Sequence, residues 1–365
     1  FLFFIKFRDI YILPKHLLGD TPYADIRNNS YWEKPIGSGP CIYESQISGE
    51  RMEFKANKDY YLKTPQWDRF VVKVVATPSL LSGLMNDEID ILAGNVASLQ
   101  LSDWDMAQQQ QNLTCVSTES VGYQYMAINT EKDYLPPKVR QAIDMAINRD
   151  AIVSGLLKGE GEPAFGPFAT SHKYYDDVVN VGYNPEKAKE LLAEAGYPDG
   201  FEVTFDAPND RYMNDEQIAQ AVAGYLEKVG IKVNLNLMPK ANFFSYIKPL
   251  ENKSMFLMTG WSDASGDGLS LMHDMLYTYD REAGNGGVNR GHYSNAQVDA
   301  LIDQAFTEMD DTKRGELVAE ADKIAREDYA YIPLHFEQDT YAIKDTLNYT
   351  PRMNKYVYAW EFSYK

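Results

Sequence analysis

The side chains able to do chemistry in this chain are aromatic and acidic, and their spacing favours binding over catalysis. Tyr123 and Tyr125 stand two apart on a run that continues Met126-Ala127-Ile128-Asn129. Residues two apart in a strand share a face. Rings placed there line either a half-buried core or a ligand cleft in which the hydroxyls donate hydrogen bonds. A second stretch, Thr259-Gly260-Trp261-Ser262-Asp263-Ala264-Ser265-Gly266-Asp267-Gly268, follows the apolar run Met255-Phe256-Leu257-Met258. It reads as a small-residue loop at the C-terminal end of a strand, where open α/β sheets bind ligands, or else as a solvated acidic loop.

No catalytic or metal signature stands out. The histidines, at 16, 172, 273, 292 and 335, never pair three or four apart, so no helix presents two imidazoles to a metal. A Gly-x-Ser-x-Gly elbow and a phosphate-binding Gly-x4-Gly-Lys-Ser/Thr loop are both missing. Gly159-Glu160-Gly161-Glu162-Pro163 is a turn whose acids would repel phosphate. Asp263 and Asp267 could serve as the carboxylate pair of a hydrolase acting on peptides or glycans, and this is the competing reading. Such pairs arise easily by chance among 53 acidic residues. Cys41 and Cys115 are not in a Cys-x-x-Cys pair and read as two buried thiols or one bridge. No metal and no cofactor is implied.

These groups sit in a chain of 365 residues, long enough for two or three domains and, at 44% hydrophobic, for a substantial core. Thirty-five Lys and Arg against 53 Asp and Glu give a net charge of −18. That balance argues against nucleic acid or an anionic membrane as partner, since both call for clustered cations. No apolar run reaches the roughly 18–20 residues that a membrane helix needs. The opening Phe1-Leu2-Phe3-Phe4-Ile5 is interrupted by Lys6, Arg8 and Asp9 and lacks the marks of a signal peptide. It reads as the continuation of a buried element from a longer protein.

The pattern along the chain is α/β. Residues 51–56 alternate, Phe70–Val75 is a β-branched run suited to a buried strand, and a short helix over 77–86 leads to a strand at 87–92. Helical spacing follows over 139–147. Asn184-Pro185-Glu186 is a helix start, with Asn capping free N–H groups and Pro needing no donor at the first position; Gly196 supplies the left-handed stop. Strands are predicted at 201–205 and 231–237, separated by a helix over 218–226 that Gly230 ends. Apolar stripes at 298–309 and 317–325 mark a helix pair. Such alternation predicts an α/β protein with largely parallel sheets.

Eight short stretches, in order, carry a resemblance. They are Ile12-Leu13-Pro14-Lys15-His16-Leu17, Ile36-Gly37-Ser38-Gly39-Pro40, Asn57-Lys58-Asp59-Tyr60-Tyr61, Asp87-Glu88-Ile89-Asp90-Ile91, Val139-Arg140-Gln141-Ala142-Ile143 with Ile147-Asn148-Arg149, Gly260-Trp261, Tyr293-Ser294-Asn295 with Val298-Asp299, and Asp328 with Ile332-Pro333-Leu334. Together they resemble the extracytoplasmic solute-binding proteins of the peptide/opine/nickel class of ABC importers, family 5. The resemblance implies a two-lobed periplasmic-binding-protein-like α/β fold, type II, with mixed sheets flanked by helices. Residues 1–120 would be the returning part of domain I, 121–335 domain III and 336–365 the final return into domain I. The resemblance further implies that the N-terminal segment and inserted domain of such relatives, and a signal sequence, lie outside this chain. The implied protein is a monomeric, non-enzymatic receptor. It binds a small peptide or a peptide-like or opine-like solute and works with membrane permease subunits. Its place is outside the cytoplasm, in a periplasm or as a cell-surface lipoprotein of a Gram-positive organism.

The same resemblance implies part of a ligand site. Trp261 matches a cleft tryptophan of peptide-binding members. Three residues after it those members have an Asp that pairs with the peptide α-ammonium, where this chain has Ala264. Asp263 stands one residue early, and Asp267 matches the second acid of the loop. This form is closer to proteins similar to glutathione- and opine-binding members. Tyr125, with Tyr123 on its face, matches a cleft tyrosine. Lys240 is implied to face an anionic group, and Asn289-Arg290 to reach the cleft mouth or lie in a surface loop.

Overall fold

The computed structural model describes residues 12–93, 97–169, 172–174, 182–248, 254–262, 266 and 268–365. Phe1–Ile5, Asp263 and Asp267 lie outside the described residues. The chain divides into two compact units, 1–118 with 339–365, and 119–338.

The first unit begins with a helical turn, α1 (Lys15–Leu18), and an antiparallel sheet of β1 (Cys41–Ile47), β2 (Arg51–Ala56) and β3 (Arg69–Lys73). The β-branched run at 70–75 was expected to be buried. Instead β3 is an edge strand, exposed everywhere except Phe70, because no further strand pairs with its outer side. Phe70 turns in against Trp67 and Phe362. Next come α2 (Leu80–Met85), β4 (Ile91–Leu92) and α3 (Leu101–Gln108), whose Leu84, Leu92 and Trp104 share one core with Ala342 from the end of the chain. The Trp67 indole N–H donates to the carbonyl of Ala359 at 2.6 Å, so this unit is closed by residues 292 positions apart. Cys41 and Cys115 are free thiols, and burial pushes Cys41 up to about 11.

β5 (Leu113–Ile128) carries the chain into the second unit, and from Ser120 to Ile128 every residue is buried. The second unit continues with α4 (Pro137–Ala146), α5 (Arg149–Ala151), β6 (Gly161–Pro163), α6 (Pro185–Glu194), β7 (Glu202–Pro208), α7 (Asp215–Lys228), β8 (Lys232–Met238) and α8 (Lys240–Ile247). It ends with β9 (Phe256–Ser262), α9 (Leu269–Leu276), α10 (Ala296–Thr307), α11 (Asp311–Glu327) and β10 (Tyr331–Lys344). The last residues of β10 belong to the first unit and pair with β4; β11 (Leu347–Asn348) and β12 (Ser363–Tyr364) pair beyond it. The helix signals hold: Asn184 accepts from the Lys187 N–H, and Gly196 and Gly230 stand at φ of +94° and +96°.

In the second unit β5 lies between β10 and β9, β9 borders β7, and β8 is outermost. The largely parallel sheet expected from the alternation is a mixed one. The β7–β8 and β7–β9 pairs are parallel, whereas β5–β9, β10–β6 and β10–β4 are antiparallel. Parallel neighbours need a helical crossover, which α7 and α8 provide; β5 comes in from the first unit and β10 runs back into it, so neither is bound by that rule. Arg149, 3% exposed, pairs with buried Asp144 and donates to the Pro333 carbonyl at 2.8 Å, tying α5 to β10.

Two glycines test the packing of this sheet from opposite directions. A Cβ on Gly200, at φ +72°, would fall 1.8 Å from the Gly230 carbonyl oxygen, whereas one on Gly224 within α7 would meet nothing within 4 Å. Gly200→Ala should therefore destabilise by about 2–4 kcal/mol, and Gly224→Ala should stabilise by about 0.5–1 kcal/mol. Urea unfolding of both variants measures this, and equal effects would contradict the close approach of the two turns.

Candidate functional site

The register of β5 on β9 builds the floor of the site. Tyr123 lies opposite Trp261 and Tyr125 opposite Thr259, so these four side chains share one face. The stretch from Thr259 was expected to be a loop; through Ser262 it is strand, because β5 extends far enough to offer Gly122–Tyr125 as partners. Trp261 is thus held on a strand, half-buried. Gly260 is required here, since a Cβ would come 2.9 Å from Cε1 of Tyr212 and 3.1 Å from the Tyr123 carbonyl oxygen.

Tyr212 is the residue that the sequence reading missed. It stands in the turn after β7, which the Asp215 carboxylate organises by accepting from the backbone N–H groups of Arg211 at 2.8 Å and Tyr212 at 2.9 Å. The Tyr212 hydroxyl lies 3.2 Å from Thr259 Oγ1 and donates to the Gly260 carbonyl at 3.3 Å. Arg211 sits over its ring, 4.9 Å from the centroid. The available signal was positional. Asn209-Asp210-Arg211-Tyr212 follows a strand at the C-terminal end of a parallel pair, the same place that drew attention to Trp261.

Arg290 joins this group. Its guanidinium donates to the Ile247 carbonyl, and its charge acts on Tyr125, Tyr212 and Tyr279. Burial lowers the pKa of Arg290 and raises those of Tyr125 and Tyr212, with the nearby guanidinium opposing the rise at Tyr125. The cation and the phenols all keep their ordinary protonation at neutral pH. The result is a cationic, hydrogen-bonding, aromatic surface suited to holding a polar solute.

The remaining expected residues separate from it. Tyr123 is core: 1% exposed, stacked on Tyr125 at 5.2 Å, with its hydroxyl 2.9 Å from Met275 Sδ. The buried Asn289 amide is committed to backbone, donating to the carbonyls of Tyr277 and Tyr293 at 3.0 and 2.7 Å and accepting from the Tyr293 N–H at 3.0 Å. Lys240 is exposed at the start of α8, where its backbone N–H meets the Asp210 carboxylate. Asp263 and Asp267 are outside the described residues. Among the described residues, no three His, Cys, Asp or Glu side chains are grouped to hold a metal ion.

The sequence of residues 3–283 matches the model of the bacterial extracellular solute-binding proteins, family 5 (middle). The chain belongs to this family. It is 28% identical over 365 residues to the oligopeptide-binding protein AppA of Bacillus subtilis (strain 168), covering 94% of this chain and 65% of that one. It is 30% identical over 314 residues to di/tripeptide-binding protein 1 of Pseudomonas aeruginosa (strain UCBPP-PA14), covering 83% of this chain and 56% of the relative. The chain thus spans less than two thirds of the length of these curated relatives. The structure of Bacillus subtilis AppA in complex with a nonapeptide superposes with a TM-score of 0.79 at 27% identity, over 97% of this chain and 72% of that one. The two-lobed periplasmic-binding-protein-like class, with mixed sheets flanked by helices, is the fold of this family member.

The geometry of Asn289 predicts a structural role. Asn289→Ala would leave two carbonyls and one N–H unpaired in a buried turn and should destabilise the protein by about 2–4 kcal/mol. Thermal unfolding checks this; an unchanged transition with weakened solute binding would return Asn289 to the site.

Proposed function

We propose that this protein is the solute receptor of an ABC importer. It takes up a small peptide or peptide-like solute outside the cytoplasm and passes it unchanged to permease subunits in the membrane. The observation that carries this reading is the family match over residues 3–283. The names of the relatives, an oligopeptide-binding and a di/tripeptide-binding protein, support the ligand class. The β5–β9 face supports the mode of binding, because it offers Trp261 and Thr259 beside phenol hydroxyls and a guanidinium, the mixture of apolar surface and few directed polar groups that concave solute sites use. In this reading residues 1–120 and 336–365 form one lobe and 121–335 the other, and the receptor works as a monomer in a periplasm or as a cell-surface lipoprotein. Among the described residues, no helix is long and apolar enough to cross a membrane.

Native mass spectrometry of the purified full-length protein should find a bound solute of low mass, and incubation with a peptide library should leave every peptide chemically intact. Cleavage of library peptides would overturn the reading. Trp261→Ala should weaken binding of the identified solute by more than about 2 kcal/mol, roughly thirtyfold, with little change in melting temperature. A large fall in melting temperature at unchanged affinity would assign Trp261 to the core instead.

A further inference from the structure

The sheet of the second unit is unfinished along one stretch of β9. Asn129 donates its N–H to the Met255 carbonyl at 2.9 Å, which fixes the alternation of the antiparallel β5–β9 ladder. Leu257, Thr259 and Trp261 therefore turn their main-chain groups toward β5, and Met258, Gly260 and Ser262 turn theirs the other way. On that other side β7 reaches β9 only at Phe256 and Leu257, and among the described residues no strand borders 258–262. Such an edge is a template on which an extended chain can add as a further strand.

Tyr212, half-buried, stands in the middle of this edge. Its hydroxyl donates to the Gly260 carbonyl at 3.3 Å, taking the acceptor that an added strand needs. Its ring packs so close that a Cβ on Gly260 would come 2.9 Å from Cε1. The side chain is held there from several directions. The Asp215 carboxylate, in a residue 2% exposed, accepts from the N–H groups of Arg211, Tyr212 and Glu216. Asn214 takes a left-handed φ of +52° and donates its side-chain amide to the Leu156 carbonyl at 2.6 Å. Moving the ring aside would give up the hydroxyl's contacts with Gly260 and Thr259 and the cover of Arg211 together.

We propose that Tyr212 is a specificity residue that blocks main-chain pairing along β9 and so confines this receptor to short solutes. The inference rests on the receptor reading above and specifies the size of the ligand. Ser262, two residues beyond Gly260, faces the same side and is not covered by the Tyr212 hydroxyl. A solute of two or three residues can pair there and stop short of the phenol. An extended nonapeptide spans about 30 Å, against about 17 Å for residues 258–262, so laying it along β9 brings it over Gly260. There it meets the ring and finds the carbonyl already taken.

The test is calorimetry on the full-length protein with tri-alanine and a nonapeptide of alternating serine and alanine. The unaltered protein should bind tri-alanine at least about tenfold more tightly than the nonapeptide, the weight of one or two main-chain hydrogen bonds. Tyr212→Ala removes hydroxyl and ring together. It should raise the nonapeptide affinity at least about tenfold and change that for tri-alanine less. Tyr212→Phe keeps the ring and frees only the Gly260 carbonyl, so it should recover part of that gain, and it decides the matter if Tyr212→Ala folds poorly. Equal binding of the two peptides by the unaltered protein would overturn the inference and leave the receptor reading intact. The same holds for a preference undiminished in both variants. It holds too for an equal loss of both affinities on Tyr212→Ala, which would make the ring a contact and not a filter. Neither peptide bound by the unaltered protein or by either variant would overturn both.

Discussion

The alignment of β5 with β9 is the constraint on which the site depends. Side chains alternate along a strand with a period of two, so a slip of β5 by one residue would send Tyr125 to the face away from Thr259 and bring Gln124 in its place. Gly260 helps to lock the alignment from the other direction, because only a residue without Cβ lets the Tyr212 ring lie against β9. The stacked rings of Tyr123 and Tyr125 and the edge-on contact of Tyr125 with Tyr331 supply the packing that makes a slip unfavourable. Core and site are therefore one construction: Tyr123 closes the apolar side, and two residues further on Tyr125 presents its hydroxyl to the polar side.

Electrostatics in the second unit follow from the same economy. The Arg149 guanidinium, 3% exposed, has its charge matched by Asp144 and donates to the Pro333 carbonyl. Removing one member of such a pair strands a buried charge, so pairs of this kind fasten elements together. Arg290 lacks that fastening role. Its one hydrogen bond holds the side chain to Ile247 and leaves its charge facing phenols. Tyrosines tolerate a nearby cation, which favours their ionised form, and burial more than offsets that effect at Tyr125. The phenol stays a donor.

Much of the fold was legible because it is written in local rules. The cap at Asn184, the left-handed stops at Gly196 and Gly230 and the alternation of 231–237 all lead to the elements they predict. Strand direction was not legible, since alternation of strands and helices says nothing about strands that enter from another unit. The reading of Phe70–Val75 as buried failed for a related reason: β-branched residues report strand propensity, and only the neighbours of a strand decide its burial. In the site, residue types pointed to Tyr125 and Trp261. Asn289 looks polar and available in sequence, but its amide satisfies a turn. Tyr212 carried only a positional signal in sequence, and the contact that places it, with Thr259, is 47 residues distant.

The bond from Trp67 to Ala359 has a bearing on how the chain acquires its structure. The second unit is continuous in sequence, whereas the first needs residues 339–365 to be complete. During synthesis from the N-terminus, Trp67 and Phe70 emerge long before Ala359 and Phe362 exist to cover them. The later unit can therefore reach its native packing while the earlier one still exposes aromatic surface. On the ribosome that surface is a target for chaperones until residues 359–362 arrive to cover it.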